Sequence, residues 1–289
     1  MSLLHVVILA MVQGLAELLP VSSSAHVVIA EKLLGLDPSS PPMTLLLVML
    51  HTGTMFAVIV YFWRQWRDTY FKSVPAFKTF AGRVVVATSL TAIVGELIIK
   101  IIEMTVLRAV PNAEIEDLFS HLEFIAPALG VAGLLILGAG LFERRKFARV
   151  PTKSTDLSMQ RASLIGTVQG FCLPFRGLSR SGATISAGML LGVAKEQAEA
   201  FSFALAVVIT PPVVGREILR LLRSAHSTGT ADLASNALLS LFGAVVAFFA
   251  GLLALKWLSQ WLESGRWYLF GIYCLAASGA VALLYRVGY

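Results

Sequence analysis

The sequence predicts an all-α polytopic membrane protein built on an inverted-topology repeat, each half a re-entrant helical hairpin followed by three transmembrane helices. Three observations predict it. Apolar residues make up 57% of the 289-residue chain and charged residues 14%, whereas a soluble domain carries about 25% charged residues; lipid is therefore the solvent for most of the surface. Six apolar stretches reach the roughly 20 residues that a crossing needs. Two others are broken at their centres by Pro, Ser and Gly, and the two resemble each other.

In chain order, residues 1–35 form the first broken stretch, two apolar runs around Leu19-Pro20-Val21-Ser22-Ser23-Ser24-Ala25-His26. No Lys or Arg occurs in residues 1–31, so the basic start of a cleavable signal peptide is not expected. Crossings are expected at 43–63, 84–102 and 124–142. Residues 162–193 form the second broken stretch, around Leu173-Pro174 and Ser179-Arg180-Ser181-Gly182-Ala183-Thr184, and crossings follow at 201–222, 237–258 and 267–285. Irregular backbone at membrane depth is tolerated only where protein buries it or it lines a wet cavity. These segments almost fill the chain, so 1–289 reads as a single integral membrane domain, with a first repeat at 1–143 and a second, inverted one at 160–289.

The net charge of +6 suggests topology rather than nucleic acid, because the basic residues gather in short connections. Connection 64–83 carries Arg64, Arg67, Lys72, Lys78 and Arg83 against Asp68, and connection 143–161 carries Arg144, Arg145, Lys146, Arg149, Lys153 and Arg161. Both are expected in the cytoplasm. Connection 103–123 is acidic, with Glu103, Glu114, Glu116, Asp117 and Glu123 against Arg108, and is expected outside. The first hairpin then enters from outside and the second from the cytoplasm, so their broken tips meet within the membrane. Val12-Gln13-Gly14 recurs as Val168-Gln169-Gly170 at an offset of 156, and Ser22-Ser23-Ser24-Ala25 recurs in type as Ser179-Arg180-Ser181-Gly182 at 157. Broken helices in inverted repeats mark binding sites in transporters. Cys172 and Cys274 offer neither metal-ligand spacing nor a disulfide framework.

The tips carry the chemistry. Gln13 and Glu17 are four apart and share a helical face, and Glu17 lies in an apolar run where an ionisable residue is functional by default. His26, nine residues beyond Glu17, offers a nucleophile, a proton donor or a metal ligand. In the second tip, Gly177 permits close backbone approach, Ser179, Ser181 and Thr184 bring hydroxyls to a helix start, and Arg180 supplies a planar fork for phosphate oxygens. Capping by Ser179 or Ser181 accounts for the serines alone and leaves Arg180 unexplained. A carboxylate, an imidazole, hydroxyls and a guanidinium together suit hydrolysis of a phosphoanhydride. Glu17, with Gln13, is the expected ligand of a divalent cation. His5, His51, His121 and His226 fall into no usable spacing. A lipid or anion transporter, or a flippase, using the same cavity is the competing reading.

On these residues the chain resembles the bacterial undecaprenyl-diphosphatases associated with bacitracin resistance. That family's first motif, Glu or Gln, three residues, Glu, then Pro-Val-Ser-Ser-x-x-His, is matched by Gln13, Glu17, Pro20, Val21, Ser22, Ser23 and His26. Its second, Pro-Gly-x-Ser-Arg-Ser-x-x-Thr, is matched by Gly177, Ser179, Arg180, Ser181 and Thr184, with Arg176 in place of the proline. The resemblance implies hydrolysis of the polyprenyl lipid undecaprenyl diphosphate to undecaprenyl phosphate and inorganic phosphate, recycling a cell-wall carrier. It also implies a divalent cation, Mg²⁺ or Ca²⁺, a bacterial inner-membrane location with the site facing the periplasm, and a homodimer. Within it Arg180, Ser179, Ser181 and Thr184 would bind the phosphates, while His26 or Ser23 attacks the terminal phosphorus or His26 protonates the leaving oxygen.

Overall fold

Pro20 and Pro174 follow helices too short to cross a bilayer. The computed structural model describes residues 2–37, 40–105, 122–147, 156–225 and 231–287. In it α1 runs over Leu3–Leu18, 16 residues, or about 24 Å against a hydrocarbon core of about 30 Å. Leu19, restricted by Pro20, is extended at φ −69° and ψ 125°, and the chain turns back into α2 over Ser23–Leu33. The second tip repeats this plan, with α6 over Met159–Cys172 and α7 over Arg180–Leu190. Each pair starts on the same cap: the Ser2 hydroxyl accepts from the His5 amide at 3.2 Å, and that of Ser158 from the Arg161 amide at 3.3 Å.

Three long helices follow each hairpin: α3 Pro41–Thr69, α4 Val74–Thr105 and α5 Leu122–Phe147, then α8 Lys195–Ala225, α9 Ala231–Glu263 and α10 Tyr268–Val287. All six are long and apolar enough to cross a membrane, so the chain is a multi-pass membrane protein. Each contains one of the expected crossings, to within a residue at Trp267. The helices outrun the expected spans because hydropathy registers only the lipid-facing length, while backbone bonding continues through Arg64 and Arg67 of α3. Pro211 and Pro212 lie inside α8, which carries on past both. Residues 106–121 of the acidic connection and 148–155 of the second basic one lie outside the described residues.

The halves interlock, with α1 and α3 packing on α9, α4 on α6, and α5 on α10. Apolar side chains gain little by leaving lipid for protein, so small residues that let backbones meet drive such contacts. A Cβ on Gly53 would collide with the Ala244 carbonyl, and one on Gly166 with that of Ala87. Where α5 meets α10, a Cβ on Gly271 would lie 2.5 Å from the Leu137 nitrogen. Such contacts tie α3 to α9, α4 to α6 and α5 to α10.

Candidate active site

Both tips reverse through a serine in an uncommon conformation. Ser22 has φ 68° and Ser179 has φ 50°, the only non-glycine residues with positive φ among those described. Such backbone is strained for an L-residue and persists only where its surroundings hold it. Ser179 caps α7, its hydroxyl accepting from the Gly182 amide at 3.2 Å. Gly177, at φ 111°, could not be replaced, since a Cβ there would stand 2.7 Å from the Ile125 carbonyl oxygen. The serines aim the N-terminal ends of α2 and α7, with their amides and partial positive charge, into one space.

That space is a cavity of about 310 Å³ lined by residues of both tips, among them Glu17, Ser22, Ser23, Ser24, Arg176, Ser179, Arg180 and Ser181. Glu17 and Arg180, 163 residues apart, meet there: Arg180 Nη2 donates to Glu17 Oε1 at 2.9 Å. The side chains are 17% and 21% exposed, so the attraction is much stronger than on an open surface. The other Glu17 oxygen accepts from the Ser23 hydroxyl at 2.5 Å and from Gln13 Nε2 at 3.1 Å. Arg180 Nη1 is buried with no hydrogen-bond partner. A guanidinium nitrogen held without an acceptor beside two helix N-termini is the arrangement an oxyanion completes.

The remaining expected residues stand one layer back. Gln13, 1% exposed, reaches the cavity through Glu17. The buried Thr184 hydroxyl donates to the Arg180 carbonyl at 2.8 Å and meets that of Ser202 at 2.6 Å, fixing the first turn of α7. His26 is not among the lining residues. Its Nδ1 bonds the Ser22 carbonyl and its Nε2 the Tyr273 hydroxyl, each at 2.7 Å.

Two residues were missed by sequence reasoning. His51, on α3, lines the cavity with Nε2 3.7 Å from Glu17 Oε2. It is an ionisable residue inside an expected crossing, and that signal could have found it where sequence spacing could not. Tyr273 lies 247 residues from His26 in an apolar helix, and nothing in the sequence distinguishes it from a lipid-facing aromatic.

Comparison with known proteins places this sequence in a family. A family model described as "Bacitracin resistance protein BacA" matches residues 6–280. The chain is 56% identical over 287 residues to undecaprenyl-diphosphatase 2 of Acinetobacter baylyi, covering 98% of both. It is 34% identical over 283 residues to the undecaprenyl-diphosphatase of Rhodopirellula baltica, again covering 98% of both. With the undecaprenyl-diphosphatase of Methanobrevibacter smithii it shares 30% identity over 282 residues, covering 95% of this chain and 94% of the other.

Proposed function

Because the chain belongs to the bacitracin resistance protein family BacA, we propose that it hydrolyses undecaprenyl diphosphate to undecaprenyl phosphate and inorganic phosphate, recycling a lipid carrier for cell-wall synthesis. The observation that carries the mechanism is the 2.9 Å pair between Glu17 of one tip and Arg180 of the other. The prenyl chain stays in lipid between the helices and the diphosphate enters the cavity. Arg180 Nη1 takes phosphate oxygens, with the hydroxyls of Ser179 and Ser181 and the α7 amides around them. Ser22 and Ser24 of the first tip also line the cavity.

At the terminal phosphorus, the bond to the bridging oxygen breaks and its electron pair leaves on the lipid phosphate. The incoming atom comes from His26, from Ser23, or from a water that Glu17 orients. A covalent phosphoryl intermediate in the first two cases is cleared by water, so every route ends in inorganic phosphate. Geometry supports Ser23 as the residue nearest this task, since its hydroxyl already points its proton at Glu17. His26 reaches the cavity wall through Ser22.

The residues also fit a divalent cation, Mg²⁺ or Ca²⁺. Glu17 is the one carboxylate on the cavity lining, and no group of three His, Cys, Asp or Glu converges among the described residues. That donor set suits a hard cation held by one carboxylate and, for the rest, by phosphate oxygens and water; Glu17, with Gln13 behind it, would hold it. When bound, the cation neutralises charge on the diphosphate.

The same reading makes the chain one integral domain of two inverted repeats, supported by the paired caps at Ser2 and Ser158 and the paired turns at Ser22 and Ser179. Three long helices after each hairpin support it, because an odd number of crossings per copy would turn the second upside down. It sets the protein in the bacterial inner membrane, with the cavity open to the periplasm, as a homodimer. The test is phosphate release from a prenyl diphosphate by purified protein in detergent. Release dependent on added Mg²⁺ or Ca²⁺ is expected. Substrate binding without release would reject hydrolysis and favour transport.

A further inference from the structure

We propose that Tyr273, on the last helix, is a positioning residue for His26. The inference rests on the phosphatase reading for its kinetic consequence, but not for its geometry. His26 Nδ1 lies 2.7 Å from the Ser22 carbonyl oxygen, and a carbonyl only accepts, so Nδ1 carries a hydrogen. In the neutral ring Nε2 then has a lone pair, and the Tyr273 hydroxyl, 2.7 Å away, is the group that donates to it. The two rings also stack, with centroids 5.7 Å apart and planes at 14°. The Ser22 carbonyl thus sets the tautomer, and Tyr273 fixes the plane of the imidazole and the direction of Nε2.

The contact is built into the packing of α10. Cys274, the next residue, is fully buried with its thiol 3.5 Å from the Pro20 carbonyl oxygen, which docks the helix on the first tip. One and two turns along, Ala277 and Val281 share an apolar cluster with Ala25 and Val28 of α2. Tyr273 itself is 48% exposed, so its ring adds little to the core and its hydroxyl is the part held. Through His26 the restraint reaches the Ser22 carbonyl, in the strained turn that aims Ser22, Ser23 and Ser24 into the cavity. The final helix of the chain thus determines how the first tip presents its imidazole and serines.

The test is Tyr273→Phe, which removes one oxygen and leaves the ring. Two readouts are taken on the full-length protein in detergent. The first is the ¹⁵N shift pattern of the His26 ring, assigned by its loss in His26→Ala. Both proteins should show the Nδ1–H tautomer that Ser22 sets, and in Tyr273→Phe the Nε2 shift should move toward that of an unbonded pyridine-type nitrogen. The second is steady-state phosphate release, where kcat should fall about tenfold, as loss of one orienting hydrogen bond allows, with KM unchanged. An unaltered ring spectrum in Tyr273→Phe, or a raised KM at constant kcat, overturns the proposal. If wild type releases no phosphate, the phosphatase reading fails, and the ring spectrum still decides whether Tyr273 positions His26.

Discussion

The two tips use the same backbone plan with opposite chemistry. Each begins on a capping serine, Ser2 or Ser158, and reverses through a serine at positive φ, Ser22 or Ser179. Each then opens an eleven-residue helix. At matched positions the side chains diverge: Glu17 stands against Leu173, Ser23 against Arg180 and His26 against Ala183. One tip brings the acid and the imidazole, and the other the guanidinium. The glutamines show how far a shared residue can separate in role. Gln13 donates to Glu17, whereas Gln169 donates to Thr91 Oγ1 at 3.2 Å inside the α4–α6 contact, where Thr91 also donates to the Gly166 carbonyl at 2.8 Å. One is tied to the site and the other to the packing of a helix pair.

The sharpest way to break this comparison is to remove either member of the pair that joins the tips. Glu17→Ala and Arg180→Ala should each lower kcat by about 10²–10³ or more, the scale of losing one preorganised charge-stabilising group. Each also strands a charge in a site less than a quarter exposed, so thermal stability should fall as well. Restoring the pair in reverse, with Glu17→Arg and Arg180→Glu together, should recover stability without activity, because the guanidinium would then leave the α7 N-terminus. Recovery of phosphate release in the reversed pair would show that the tips are interchangeable and that the assignment of roles is wrong.

A smaller effect sharpens the comparison. Gln13→Ala should reduce kcat about tenfold, through one lost donor to Glu17, and should also lower the melting temperature, because the side chain is buried. Gln169→Ala should cost a similar amount of stability, about 1–2 kcal/mol, by removing a buried hydrogen bond but leave kcat in place. Both constants are read from the same preparations, by phosphate release and by thermal unfolding. If Gln169→Ala proves the more damaging to kcat, the division between site and scaffold fails.

What could be read from the sequence follows from how local each feature is. The six long helices were legible because a run of apolar residues needs no partner to declare itself, and the breaks were legible because Pro20, Pro174 and the serine clusters act on their own backbone. The meeting of Glu17 with Arg180 was expected from charge alternation and internal similarity, both properties of the chain. The conformation of Ser22 and Ser179 was not legible, because a left-handed turn ordinarily selects glycine and here the surroundings impose it on serine. Tyr273 was not legible because its role exists only once α10 lies beside α2. His51 was passed over for want of a motif, although a titratable ring in the middle of α3 is itself a signal.

His51 supplies the smallest effect and the test of whether the cavity belongs to the tips alone. Its Nδ1 donates to the Leu47 carbonyl at 2.8 Å, which fixes the ring, and its Nε2 faces Glu17 Oε2 at 3.7 Å, beyond hydrogen-bond range. The contact attracts only while the ring is protonated, because a neutral ring with its hydrogen on Nδ1 turns a lone pair to the carboxylate. With 44% of the side chain exposed, solvent screens most of that attraction, which then has the scale of an exposed pair. His51→Ala should therefore lower kcat only about two- to fivefold. Added salt should shrink the difference from wild type, since screening acts on exposed pairs first. The measurement is phosphate release at low and high ionic strength for wild type, His51→Ala and Arg180→Ala. A loss in His51→Ala as large as that in Arg180→Ala, and indifferent to salt, would make a long helix an equal contributor to the site and end the two-tip description.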